Sequence, residues 1–126
     1  MILKADILKL HELSITKYGG SQGIRDEGLL DSAIARPFQT FDGLDLYIST
    51  LEKAAAIAES IIINHPFIDG NKRTGFLAML AILKIGEMNL IASVEDAYQF
   101  TISLSTGEIK FDQIVEWLTT INTEAV

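Results

Sequence analysis

Apolar positions along this chain recur mostly at helical spacing. Ile7, Leu10 and Leu13, with Ser14 beside them, mark a first helix ending at the Gly19-Gly20 pair, where left-handed backbone meets no side-chain clash. The stretch "GGSQGIRDEG" has no period, fits neither a P-loop nor G-x-G-x-x-G, and reads as a flexible connector. Asp26 is set to cap a short helix running to Ala35 and stopped by Pro37. "PFQTFDGLDLY" lacks helical period and carries turn chemistry at Asp42-Gly43, which predicts an exposed loop or short hairpin. Ser49 and Glu52 form a capping box, and the helix they open aligns Leu51, Ala55, Ala58 and Ile62 on a face widened by Ile61 and Ile63. Pro66 drives His65 out of helical backbone, so this helix ends near Asn64. A helix from about Gly70 to Ile85 follows, and its middle, "GFLAMLAIL", is apolar all round, as suits the centre of a bundle. Ser93 with Asp96 starts another helix, closed near Gly107. Asp112 starts a last one carrying Val115, Trp117, Leu118 and Ile121. With no repeat and no convincing sheet, the predicted fold is all-α: about six helices around a central buried helix, with a short loop before Ser49.

A chain of 126 residues is expected to form one domain, spanning 1–126. Its 48% apolar and 21% charged content is that of a folded soluble protein and excludes a disordered one. The absence of cysteine excludes disulfides and thiolate zinc sites. "MILKADILKL" lacks the uncharged core of a signal peptide, and the longest apolar run, Gly75 to Leu83, is too short for a membrane span. A cytoplasmic protein without membrane contact is expected. Ten basic residues against 17 acidic ones leave a net charge of −7, with no broad basic face to bind nucleic acid.

Against that acidic background, "HPFIDGNKRTGF" breaks a local rule. It opens an apolar helix with Lys72 and Arg73, although helix N-termini already carry partial positive charge. Gly70 and Asn71 are poor helix formers as well. A bound polyanion resolves the conflict. Gly70 lets a phosphate approach the backbone, Asn71 adds an amide donor, and Lys72 and Arg73 neutralise charge, Arg73 with a bidentate fork. Asp69 could hold Mg²⁺, and His65 could act as a general base near neutral pH, with Phe67 anchoring the turn. Taken singly, Asp69 reads as an N-cap, the two cations as solvated and His65 as a turn histidine; together, those readings leave the cations unexplained. Elsewhere His11 reads as structural, and Trp117 and Phe111 as core. Arg25 and Arg36 either reach the phosphates or pair with surface acids.

"HPFIDGNKR" resembles the Fic/Doc signature, H-P-F-x-[D/E]-G-N-[G/K]-R, at every specified position. "KYGG", "GIRDEGLL", "AIARPF" and "EKAAAIAESIIINHPF" are similar to segments upstream of that signature in Doc toxins, so the resemblance covers residues 7 to about 118. It implies a Fic/Doc-type helical fold and ATP-dependent transfer to a protein hydroxyl, most often of AMP. In the Doc branch, the toxin of a toxin–antitoxin pair instead phosphorylates elongation factor Tu and halts translation. The family's roles carry over to His65 as base, Asp69 as Mg²⁺ ligand, and Gly70, Asn71 and Arg73 as phosphate binders. Lys72 stands where AMP-transferases usually have glycine, and Phe76 where they have a second arginine. A lysine there fills space that two terminal phosphates would take, so a reoriented nucleotide and γ-phosphoryl transfer to a threonine are expected. The alternatives are AMP transfer and a non-catalytic module that only binds a partner. No inhibitory [S/T]-x-x-x-E-[G/N] match is present, so a separate antitoxin would restrain the protein. The family also implies a flap, here Pro37 to Tyr47 with Phe41, Asp42 and Gly43 at its turn, positioning the target beside His65.

Overall fold

The computed structural model describes residues 2–120 and 123–125. Among them six helices follow one another: α1 (Lys4–Tyr18), α2 (Glu27–Ala35), α3 (Thr50–Asn64), α4 (Asn71–Ile85), α5 (Val94–Ser105) and α6 (Phe111–Thr120). A 3-10 turn, Arg36–Phe38, leads from α2 into a small antiparallel hairpin of β1 (Thr40–Phe41) and β2 (Leu44–Asp45). A second antiparallel pair, β3 (Met88–Leu90) with β4 (Thr123–Ala125), closes the far end of the chain, with Asn89 opposite Glu124.

Capping chemistry sets most boundaries. The Asp26 carboxylate accepts the Leu29 N–H at 2.9 Å, and Ser49 and Glu52 satisfy one another's backbone N–H groups at 3.1 Å each. The Ser93 hydroxyl accepts from Asp96 in the same way. α6 departs from expectation at its start, which lies at Phe111 and not Asp112. Gln113 reaches back to the Lys110 N–H at 2.8 Å, and Lys110 supplies the first helical carbonyl, to Ile114. Ile121, expected on its apolar face, lies outside the described residues.

The helix at the centre is α3, not α4. Every residue from Ala54 to Ala58 is buried, because these small side chains let neighbours approach from all sides. α3 packs along α4 and also meets α2, α5, α6 and the 3-10 turn. On α4, by contrast, Phe76, Leu77, Leu80 and Ala81 are only half-buried. One core cluster joins residues of all six helices, among them Ile7, Leu30, Ile61, Met79, Leu104 and Ile114. The α3–α4 elbow, residues 65–70, is therefore held between the two helices that pack against each other most closely.

Candidate active site

His65 sits one residue past α3 with left-handed backbone, φ 51° and ψ 58°. Its N–H still reaches the Ile61 carbonyl at 3.2 Å, while Pro66 prevents another helical turn. The elbow is anchored from inside by Phe67, which is 1% exposed and stacks on the His11 ring at 3.8 Å between centroids. His11 is itself buried, and its Nε2 donates to the Asp69 carbonyl at 2.8 Å. Asn71 adds a second brace. Its Oδ1 accepts the Phe67 N–H and its Nδ2 donates to the Phe67 carbonyl, both at 3.0 Å. The expected amide donor to a phosphate is thus buried and turned inward, where it satisfies a backbone that neither helix can serve.

The glycine-rich stretch after α1 is no flexible connector. Arg25 and Asp26 donate their N–H groups to the Pro66 carbonyl at 2.7 and 3.0 Å, and Ile68 donates to Gly23 at 3.1 Å. An antiparallel bridge joins Ile24 to Phe67. The Arg25 side chain donates from Nε to the His65 carbonyl and from Nη2 to the Asn64 carbonyl, each at 2.6 Å. It lines no part of the cavity at the elbow and pairs with no acid among the described residues; it caps the C-terminal end of α3, where a cation is favourable. The Ser21 N–H donates to Asp69 Oδ2 at 3.2 Å. Glycine is required beside it: Gly20 has φ +118°, and a Cβ there would stand 2.7 Å from Asp69 Oδ2.

These braces shape an open cavity of about 380 Å³ lined by His65, Ile68, Asp69, Gly70, Asn71, Lys72 and Arg73. His65 is exposed on its rim, with Nδ1 3.2 Å from the Ile63 carbonyl. A carbonyl can only accept, so this contact is made by a protonated Nδ1, and in the neutral tautomer that makes it the lone pair is on Nε2. The Asp69 carboxyl is held below its ordinary value by the Ser21 N–H, then by the Gly70 N–H at 2.9 Å and by the charge of Arg73. Gly70 has φ +75°, and a Cβ on it would meet Ile15 at 2.9 Å, so glycine is needed for the turn itself. In the first turn of α4, the N–H groups of Asn71, Lys72 and Arg73 have no partner among the described residues, leaving donors for an anion.

The two cations differ. Arg73 donates from Nη2 to the Gly19 carbonyl at 2.7 Å and lies over the Tyr18 ring, so its charge meets the C-terminal end of α1. The conflict that called for a polyanion is met in part by the protein. Lys72 is exposed and has no hydrogen-bonding or ion-pair partner among the described residues. Beyond Lys72 and Arg73 runs an apolar groove of about 320 Å³ between α4 and α5, walled by Phe76, Ala97, Tyr98 and Ile102.

The expected flap is a hairpin, with Asp42 and Gly43 both at positive φ, as a two-residue type I′ turn requires. The structure does not bring Phe41, Asp42 or Gly43 into the His65 cavity. Lys53 bonds the Tyr47 carbonyl and, at 3.4 Å, Asp45, which ties the hairpin to the first turns of α3. α3 has 15 residues, which puts its two ends about 20 Å apart. Arg36, at the hairpin's root, is committed to Glu59 at 2.9 Å and to Tyr47 and Ser60. Sequence reasoning missed Ser21 and gave Gly20 and Arg25 other roles, a helix stop and a phosphate or acid partner; the only local signal was a run of glycines denser than a connector needs.

Three matches to known proteins bear on this geometry. The chain is 39% identical over 99 residues to a protein named toxin Doc from Mycolicibacterium smegmatis, covering 77% of this chain and 76% of that protein. It is 28% identical over 113 residues to the protein kinase doc of Escherichia phage P1, covering 90% and 88%. The family profile described as Fic/DOC matches residues 2–83, which include the whole elbow and the loop that braces it. This chain belongs to the Fic/DOC family.

Proposed function

We propose that this protein is the toxin of a toxin–antitoxin pair and transfers the γ-phosphate of ATP to a threonine hydroxyl of elongation factor Tu. The observation that carries the reading is the orientation of His65: Nδ1 is tied to the Ile63 carbonyl, leaving a basic Nε2 at the rim of a cavity rich in phosphate donors. Its relatives are named a toxin and a protein kinase, which supports both halves of the proposal. In the transfer, Nε2 takes the hydroxyl proton as the hydroxyl oxygen forms a bond to the γ-phosphorus. The bond from that phosphorus to the β–γ bridging oxygen breaks, and ADP leaves. The free N–H groups of the α4 first turn, Lys72 and Arg73 hold the phosphates against that charge. The apolar groove beyond them offers the base an aromatic wall at Phe76 and Tyr98.

Asp69 fits a magnesium ion. Its carboxylate is exposed, ionised well into acid and beside the phosphate donors, and Mg²⁺ is usually held by one or two carboxylates together with substrate oxygens. Bound there, Mg²⁺ would neutralise charge on the terminal phosphates. Phe76, by contrast, lends AMP transfer no cation, since it stands in the apolar groove. A separate antitoxin restrains the toxin, as no inhibitory helix motif is built into the chain.

The test incubates the protein with ATP, Mg²⁺ and elongation factor Tu and measures phosphothreonine on the factor by mass spectrometry. His65→Ala should keep the fold and lower the rate by about a hundredfold or more, the usual contribution of a general base. Phosphothreonine formation within a few-fold of the parent would remove His65 from that role, and no modification by the parent would favour the binding-only module.

A further inference from the structure

Arg25 touches no residue of the cavity through its guanidinium except the main chain of His65. That contact is unusually directed. Nε and Nη2, the two donors of one guanidinium edge, take the carbonyls of His65 and Asn64, each at 2.6 Å. The Arg25 N–H also grips the Pro66 carbonyl at 2.7 Å, so one residue holds three successive carbonyls, 64 to 66. These are the carbonyls of a helix end, which no intrahelical N–H can satisfy, and the middle one belongs to a non-glycine residue in left-handed backbone. In that conformation the His65 ring folds back so that Nδ1 meets the Ile63 carbonyl.

We infer that Arg25 is a positioning residue: by clamping the Asn64 and His65 carbonyls, it fixes the backbone that puts the His65 proton on Nδ1 and the lone pair on Nε2. The inference rests on the reading of His65 as general base, but its first consequence is a property of the ring that needs no substrate. A flat fork of two parallel N–H donors is what the two carbonyls require, and lysine, a single point charge, cannot supply it. When the clamp is lost, the helix end frays, Nδ1 parts from Ile63, and the imidazole reverts to a solvent-averaged mixture of tautomers. The nucleotide cavity, to which Arg25 contributes no lining, stays intact.

Only two histidines occur in the chain, and the other, His11, is buried and holds the Asp69 carbonyl, so imidazole ¹⁵N spectra resolve His65 directly. Spectra of the parent, Arg25→Ala and Arg25→Lys, taken above the range in which the ring protonates, read the tautomer, and steady-state transfer assays with varied ATP read kcat and KM. The expected result is a parent His65 with Nδ1 protonated, loss of that preference in both variants, and kcat lowered about tenfold or more with the KM for ATP within about twofold. A folded variant that keeps the Nδ1–H tautomer and the parental kcat overturns the inference. If Arg25→Ala fails to fold, Arg25→Lys, which keeps a cation at the helix end, decides by the same two readouts. His65→Ala, run in parallel, separates the two claims: if it retains transfer, the base assignment fails, while the tautomer still reports whether Arg25 orients the ring.

Discussion

Asn71 offers the sharpest contrast between a binding and a bracing role. Read from sequence, it is a phosphate donor, and replacing it by alanine would weaken ATP binding while leaving the fold alone. In the structure it is 6% exposed and holds both the N–H and the carbonyl of Phe67, itself 1% exposed. Asn71→Ala strands both groups where water has little access. Each orphaned group costs about 1–3 kcal/mol, and a partly relaxed elbow brings the sum to about 3 kcal/mol. For a domain of this size that is a fall of roughly 10 °C in Tm. Asn71→Asp is the informative companion, since it keeps the acceptor for the Phe67 N–H and sets a carboxylate oxygen against the Phe67 carbonyl, so it too should be strongly destabilised. Urea unfolding followed by circular dichroism gives the free energies, and calorimetry below the lowered Tm gives the ATP affinity. A stability loss under about 1 kcal/mol together with a collapsed ATP affinity would refute the brace and restore the phosphate contact.

Other consequences follow from the same contacts. Arg73→Ala removes a cavity-lining cation, proposed to hold phosphate, along with the Gly19 bond, so ATP binding measured by calorimetry should weaken by about 1.5–3 kcal/mol, the range for hydrogen bonds to charged groups; unchanged affinity would leave Arg73 a purely structural strut to α1. Gly20→Ala forces a Cβ onto Asp69 Oδ2 and into strained backbone, so Mg²⁺-dependent ATP binding should fall and the Asp69 carboxyl, followed by NMR titration, should move up toward 3.8. In the parent, because folding lowers that pKa below 3.8, the stability the carboxylate contributes is present above 3.8 and is lost as pH falls through the folded value. An Asp69 titration unchanged by the substitution would mean that the loop does not hold the carboxylate.

Local chemistry was legible in the sequence where the signal itself is local. Asp26, Ser49 and Ser93 cap within three residues of their partners, and Pro66 acts on the residue beside it, so those helix starts and the end of α3 at Asn64 could be read directly, whereas the left-handed backbone of His65 could not. The motif also put His65, Asp69, Gly70, Lys72 and Arg73 around one cavity. What escaped were partners far apart in the chain. Ser21 meets Asp69 across 48 positions and Arg25 meets His65 across 40, and no periodicity encodes such pairings. Hydropathy also misjudged the centre. α4 is rich in large apolar side chains, but the alanines of α3 allow closer approach on every side, and burial follows approach as well as hydrophobicity. The position of the hairpin depended on Arg36 gripping Glu59 of α3 and on Lys53 of α3 gripping Asp45, which spacing alone could not reveal.

Which phosphorus faces His65 decides the reaction, and an isotope answers it directly. Lys72 is exposed beside the cavity with no partner among the described residues, and Phe76 turns the next helical turn apolar; on the proposed reading the terminal phosphate meets Nε2 and the nucleoside lies in the groove. Parallel reactions with ATP labelled at the γ- or the α-phosphorus, each with Mg²⁺ and elongation factor Tu, should therefore put γ-label on the factor and no α-label. Transfer of α-label by the parent protein would contradict the account and identify the reaction as AMP transfer.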